Sequence, residues 1–321
     1  MARDITYQQA QVEAMAEEMR RDSRVIQLCG SLAGLGDLVK EFGTERVRVC
    51  PISEAAYTGA AIGAAACGYR PVVNWGRMTF AFTAMDQIVN QAAKLHYMFG
   101  GQVPFPIVFR AGVGAGMSGA AQHSQSPHPM FMNLAGLKLV MPCTPYDAKG
   151  LLKSAIRENN PVVFFEHAML SSLKGPVPDD EYVVPLGQAE VKCAGTDITL
   201  VAVSRMVLEA LAAAEELATE GVSAEVVDPR TLVPMDAAAL RRSVRKTGRV
   251  VIVDEACITG AAAAEISALL TEDPETFRAL KSPPRRVCAP DVPIPYSPVM
   301  EQYVIPGKQE IVKAARAVLA G

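Results

Sequence analysis

The stretch Leu137–Glu166, LKLVMPCTPYDAKGLLKSAIRENNPVVFFE, decides the fold. LKLVMP is a short apolar run of strand type, PYDAKGLLKSAIRENN has a helical period and stops at Pro161, and PVVFFE is a second apolar run. Short apolar runs without polar alternation suit strands buried on both faces, and a helix between two of them makes a parallel βαβ unit.

The same alternation extends both ways. Upstream, VIQLCG (25–30), RVRVCP (46–51), PVVNW (71–75) and PFPIVFR (104–110) read as strands. Thr6 and Gln9 can form a capping box that opens a helix through about Arg21. Ser53 can cap the Ala- and Gly-rich helix EAAYTGAAIGAAACG, and DQIVNQAAKLHYMFGG is a long helix stopped by glycine. Residues 111–129 are rich in Gly, Ser, His and Pro and read as a long loop. Downstream, the polar, proline-rich KGPVPDDEYVVP interrupts the pattern, which restarts with ITLVAV, MVLEALAAAEELATEG, AEVVDP, a helix through RRSVRKTG, RVVIVDEA, GAAAAEISALLTED and RRVCAP. The expected fold class is α/β with two doubly wound domains, over 1–180 and 196–321, joined by a linker at 181–195.

Composition agrees with this and removes several function classes. A chain of 321 residues suits two ordinary cores, and with half its residues apolar and 20% charged it has the make-up of a globular protein. The net charge is -3 and no basic run occurs, which argues against nucleic acid as a partner. The start, MARDITYQQAQ, lacks the apolar core of a secretory signal, and no apolar run is long enough for a membrane helix. The seven cysteines are odd in number, dispersed and never spaced as CxxC; they are expected to be small buried hydrophobes in a reducing cytoplasm.

One phosphate-binding pattern needs an answer. Gly114-Ala115-Gly116-Met117-Ser118-Gly119 matches GxGxxG after a strand, but a dinucleotide site also needs a helix there and an acidic residue about 20 positions on. AAQHSQSPHP is a poor helix, and no Asp or Glu occurs between Arg110 and Asp147. There is no GxxxxGK[ST], HExxH or GxSxG either. His96 lies in a helical pattern and is expected to be structural. His123 and His128 share the long loop, where the residues alone leave open whether either does more than hydrogen-bond. Glu54 is similarly open: the helix dipole favours any carboxylate in a first turn, yet its uncharged, close-packing flanks suit one that shares a proton.

Taken together, PISEAAYTGAAIGAAACGYRP, DQIVNQAAK, GGQVPFPIVFR, AQHSQS, the opening stretch, VVDPRTLVPMD and SVRKTGRVVIVDEA resemble one family over almost the whole chain and in the expected order. It is the beta subunit of the thiamine-diphosphate-dependent first component of pyruvate, branched-chain 2-oxo acid and acetoin dehydrogenase complexes, which is transketolase-like.

The resemblance implies an N-terminal pyrimidine-binding domain and a C-terminal transketolase-like domain. Glu54 matches the glutamate that hydrogen-bonds the aminopyrimidine ring, Phe80 the aromatic packed on that ring, and His123 the active-site histidine. It implies a structural potassium site around Ile107, Ala155, Glu158 and Asn160, with Glu158 standing where the family has aspartate. The GDG…N motif that holds the diphosphate and Mg²⁺ is absent, and in this family it belongs to an alpha subunit. An assembly of two alpha and two beta chains is therefore expected, acting on a small carbonyl substrate and passing the acyl unit to a lipoyl-bearing acyltransferase core or another acceptor.

Two stretches depart from the family. Its acidic turn after the first strand is here Gly30-Ser31-Leu32-Ala33 with a shortened loop, and AQHSQS continues into Pro127-His128-Pro129. These departures leave room for a rival, a two-chain thiamine-dependent carboligase of transketolase or acyloin-synthase type. A non-catalytic scaffold is the third reading, against which Glu54 and His123 in their motifs argue.

Overall fold

The computed structural model describes residues 2–321 except Leu32, which belongs to the altered turn after the first predicted strand. Two compact units form: one from residues up to Val113 together with Met130–Leu186, the other from Gly114–Pro129 together with Gly187–Gly321. The segment 114–129, expected as a loop of the first domain, thus packs with the second unit.

In chain order the elements are β1 (Ala2–Thr6), α1 (Tyr7–Arg21), β2 (Val25–Cys29), α2 (Gly36–Arg46), β3 (Val47–Val49), α3 (Glu54–Ala66), β4 (Arg70–Arg77), a 3₁₀ stretch at Met78–Ala84, a π-helical stretch at Asp86–Ala92 running into α4 (Ala93–Met98), and β5 (Val108–Val113). There follow α5 (Ala120–His123), α6 (His128–Met132), β6 (Lys138–Val140), α7 (Pro145–Arg157), β7 (Val162–His167) and β8 (Lys174–Pro178). The remainder is β9 (Glu190–Cys193), β10 (Ile198–Ala202), α8 (Met206–Thr219), β11 (Ala224–Asp228), β12 (Thr231–Val233), α9 (Ala237–Thr247), β13 (Val250–Cys257), α10 (Ala262–Thr271), α11 (Pro274–Ala279), β14 (Arg285–Ala289), α12 (Pro298–Val304) and α13 (Lys308–Leu319).

In the first unit β6, β7, β5, β4, β2 and β3 lie side by side, each pair parallel. The strand order reverses direction between β2 and β4, where open α/β sheets form crevices. α1 starts as expected: the Thr6 hydroxyl accepts from the Gln9 N–H at 3.1 Å and the Gln9 side chain accepts from the Thr6 N–H at 2.9 Å. Its Ala10, Ala14, Met15 and Met19 are buried. The seam between α1 and α7 is ionic as well as apolar. Lys149 and Lys153 are fully buried, and their ammonium groups meet Glu17 at 2.7 and 2.6 Å, with Glu13 on Lys149 and Glu181 on Lys153.

Three expectations are corrected. Ser53 does not cap α3 with its side chain; its carbonyl accepts from Ala56 and Tyr57 instead. The polar, proline-rich stretch from Lys174 that interrupts the pattern contains β8, which pairs antiparallel with the unforeseen β1. Its prolines are tolerated because this is a two-stranded ribbon, with no inner strand to lose a hydrogen bond. Of the cysteines only Cys29 and Cys143 are buried; Cys67 and Cys257 are exposed, and all seven are free thiols.

In the second unit the order β14-β13-β10-β11-β9 is parallel except for β9. β9 lies inside the expected linker 181–195, where the chain has already joined the second unit. No helix among the described residues is long and apolar enough to cross a membrane.

Candidate functional site

Glu54 opens α3 at the C-terminal end of β3, where the helix dipole favours a carboxylate. The side chain is half-buried and takes no hydrogen bond or ion pair among the described residues. The nearby Tyr57 phenol is pushed well above its ordinary value, first by burial and then by the Glu54 charge. The 3₁₀ stretch that carries Phe80 packs against α3, and the Phe80 ring is 40% exposed. Trp75, at the end of β4, fixes this corner by donating to the Thr58 hydroxyl of α3 at 3.0 Å and stacking on Phe109. The exposed residues of α3 are Ala56, Ala60, Gly63 and Ala66, followed by Cys67 at its end, small residues that let another backbone come close.

A polar cavity of about 230 Å³ lies at the C-terminal ends of β2, β4, β5 and β7, beside the strand-order reversal and under α1. Arg110 and Glu166 of its lining pair at 2.6 Å, and the buried Gln11 amide nitrogen has no hydrogen-bond partner among the described residues. These residues escaped notice in the sequence, although Glu166 at the end of the apolar PVVFFE run was a visible signal.

The four residues expected to hold potassium do come together where α7 ends and β7 begins. The Ile107 carbonyl accepts from Val162 N–H at 2.8 Å and that of Ala155 from Glu158 N–H at 3.3 Å, which leaves each oxygen one lone pair. The Glu158 carboxylate is differently placed. It holds the Lys138 ammonium at 2.6 Å and the Asn160 amide at 2.9 Å. Burial pushes its carboxyl up, but Lys138 and Asn160 outweigh burial and hold it below its ordinary value. The carbonyls fit a monovalent cation; the carboxylate already has one in Lys138. For a divalent ion, no three His, Cys, Asp or Glu side chains converge among the described residues.

His123 is exposed at the end of the four-residue α5, in the second unit. The backbone leading to it is unusual: Gly114, Gly116, Ser118 and Ala120 all have positive φ, and at Ser118 (51°) and Ala120 (58°) a side chain makes that costly, at roughly 1–3 kcal/mol each. A Cβ on Gly119 would stand 2.9 Å from the Ser124 hydroxyl and 3.2 Å from the His123 Cβ, so a larger residue there would make both Ser124 and His123 shift.

What holds this turn is a set of buried carboxylates far along the chain. Glu301 of α12 accepts from the Gly116 N–H at 2.8 Å and the Ser118 N–H at 2.9 Å, one oxygen to each. Glu255 at the end of β13 accepts from the Ala115 N–H at 2.8 Å and the Ser126 hydroxyl at 3.0 Å. His128, fully buried, meets Asp254 at 2.9 Å. Burial alone would raise the Asp254 carboxyl, but the His128 charge and hydrogen bond outweigh it and hold it below its ordinary value. The GxGxxG string is thus a nest of N–H groups already filled by protein carboxylates, and a dinucleotide phosphate would meet negative charge there. Neither Glu255 nor Glu301 was singled out in the sequence, because α12 is short and its partners lie more than 180 residues away.

Comparison with known proteins gives two domains, the first of which includes the segment 114–129 that packs with the second unit. The transketolase pyrimidine binding domain matches residues 3–172 and the transketolase C-terminal domain residues 187–311. The chain is 45% identical over 338 positions to acetoin:2,6-dichlorophenolindophenol oxidoreductase subunit beta of Cupriavidus necator, covering 100% of this chain and 99% of that one. It is 43% identical to 2-oxoisovalerate dehydrogenase subunit beta of Bacillus subtilis, covering 94% and 95%. Identity to the mitochondrial pyruvate dehydrogenase E1 subunit beta-1 of Arabidopsis thaliana is 40%, covering 98% and 89%. These relatives favour the dehydrogenase reading over the two-chain carboligase. A split-gene transketolase solved as an inactive beta4 tetramer superposes with a TM-score of 0.81 over 98% of each chain at 23% identity, which speaks for the fold alone. The chain belongs to the transketolase-like family of beta subunits of heteromeric, thiamine-diphosphate-dependent 2-oxo acid and acetoin dehydrogenases, which are oxidoreductases working beside an alpha-type subunit.

Proposed function

We propose that this subunit supplies the pyrimidine half of a split thiamine diphosphate site that cleaves acetoin or a short 2-oxo acid. The observation that carries the reading is the Glu54 carboxylate, half-buried on a helix N-terminus and unpaired among the described residues. Thiamine diphosphate, when bound, supplies the carbon nucleophile and the electron sink for breaking a bond next to a carbonyl. Glu54 would hold a proton at the pyrimidine ring nitrogen, and Phe80 would pack on the ring and fix its orientation. His123 would give or take a proton at the substrate or the acyl acceptor. Mg²⁺ and the diphosphate would be held mainly by the alpha chain. The carbonyls of Ile107 and Ala155, with Asn160, would hold a potassium ion, while Lys138 serves Glu158.

The partner would be an alpha-type chain in a two-alpha two-beta assembly, for which the small-residue face of α3 is suited. The acyl unit would pass to a lipoyl-bearing acyltransferase core or another acceptor. The seven free thiols suit a cytoplasmic location. The relatives with acetoin in their names, at 45% and 44% identity, make acetoin the first substrate to try.

The test is Glu54→Gln in the reconstituted heteromer, assayed with acetoin, pyruvate and 2-oxoisovalerate against 2,6-dichlorophenolindophenol. A loss of at least about 100-fold in kcat is expected from removing an acid–base group. Unchanged turnover would leave Glu54 without the proposed role.

A further inference from the structure

The backbone that presents His123 does not hold its shape by itself. Ser118 and Ala120 sit in the left-handed region without being glycine, and a Cβ on Gly119 between them would press on His123 and Ser124. A turn with two such residues persists only where its surroundings fix it. Here the strongest fixing contact is Glu301, which is 2% exposed and gives one carboxylate oxygen to each of two N–H groups, Gly116 and Ser118. Both bonds are charge-assisted and lie in a protein interior, where such bonds are strong. Glu255 fixes the two ends of the same loop, through Ala115 and Ser126.

We infer that Glu301 is a positioning residue for His123: its carboxylate clamps the strained 116–120 turn so that the imidazole is presented in one orientation. The consequence for turnover rests on the reading that His123 handles a proton. The geometry makes a specific demand on the side chain. A glutamine at 301 keeps the length and one accepting oxygen but turns the other contact into N–H against N–H. The clamp is then lost on one side while the fold of α12 is kept. It also predicts how the loss is repaired. Glycine at 120 takes the positive φ without strain, so Ala120→Gly lowers the demand on the clamp.

The test uses the heteromer with its alpha partner, carrying histidine labelled with ¹³C in the ring. The chain has only four histidines, so His123→Ala assigns the His123 resonance by its disappearance. Glu301→Gln is expected to broaden or split the His123 signal while those of His96 and His167 stay in place, and Glu301→Gln with Ala120→Gly is expected to bring back one sharp line. Turnover with 2,6-dichlorophenolindophenol should follow: kcat about tenfold down in Glu301→Gln, largely recovered with Ala120→Gly, and no further loss from Glu301→Gln when His123 is already Ala. A His123 line that stays sharp and unmoved in Glu301→Gln overturns the positioning role, as does failure of Ala120→Gly to sharpen it. Full turnover in His123→Ala overturns instead the catalytic assignment of His123, and leaves the spectrum to decide the clamp on its own.

Discussion

Glu54 and His123 reach their places by opposite means. Glu54 needs only a helix start: a first-turn position, an uncharged run around it and a dipole behind it. These are local features, which is why PISE could be read from the sequence as a candidate. His123 depends on residues far away, and nothing in AQHSQS names Glu255, Glu301 or Asp254. Gly119 shows the same thing on a smaller scale. In the sequence it completes a phosphate-loop pattern; in the fold it leaves Ser124 and His123 where they are, since an added Cβ would press on both. Gly119→Ala is therefore expected to push His123 out of place and to lower kcat by about 10- to 100-fold, the scale on which small misplacements act. Circular dichroism and thermal unfolding of the heteromer should show the fold retained. A variant of normal activity would mean that the turn tolerates the added methyl group.

The elements were legible where a local period sufficed. The βαβ unit around α7 and the capping box of α1 follow from patterns within a dozen residues. The ribbon of β1 and β8 was not legible, because its two strands are polar and proline-bearing and are made strands by each other. Nor was the ionic seam of α1 and α7, since Lys149 and Lys153 have the spacing of an ordinary solvated face and become buried only when α1 arrives. The seam has a consequence for acid stability. Lys153 first, and then Arg157, hold the Glu181 carboxyl at about 2 against an ordinary 4.5. A carboxylate depressed on folding contributes stability above its unfolded value, and that contribution is lost as the pH falls through the folded one. The thermal midpoint is expected to fall as the pH drops from about 4.5 towards 2, and Glu181→Gln should show a shallower fall over that window. Parallel curves for the two proteins would remove Glu181 from the acid response. Glu181 is largely exposed, so solvent screening keeps its share of the response small.

For the whole molecule, the division of labour between chains is the main expectation. No cluster of protein ligands for a divalent ion exists among the described residues, while a free carboxylate waits at α3. Calorimetric titration of thiamine diphosphate with Mg²⁺ is expected to give no heat of binding with this chain alone and saturable binding with the heteromer. Binding to the isolated chain would put the diphosphate site here instead. The two-domain α/β organisation was legible because the alternation of apolar runs and helical periods breaks once and restarts. The excursion of 114–129 into the second unit was not, because a loop rich in small residues carries no pattern that says what it packs on.

That excursion has a consequence for how the protein is made. The N–H groups of Gly116 and Ser118 wait for a carboxylate 185 and 183 residues further along the chain. At a synthesis rate of about 5–20 residues per second, the histidine loop stays without its clamp for roughly 10–40 s while the remainder emerges from the ribosome. The first unit can gather its sheet in that interval, but the turn at His123 is completed only when the last helices have been translated. A premature stop between β14 and α12 therefore leaves a polypeptide with all the strands described above and an unformed histidine turn.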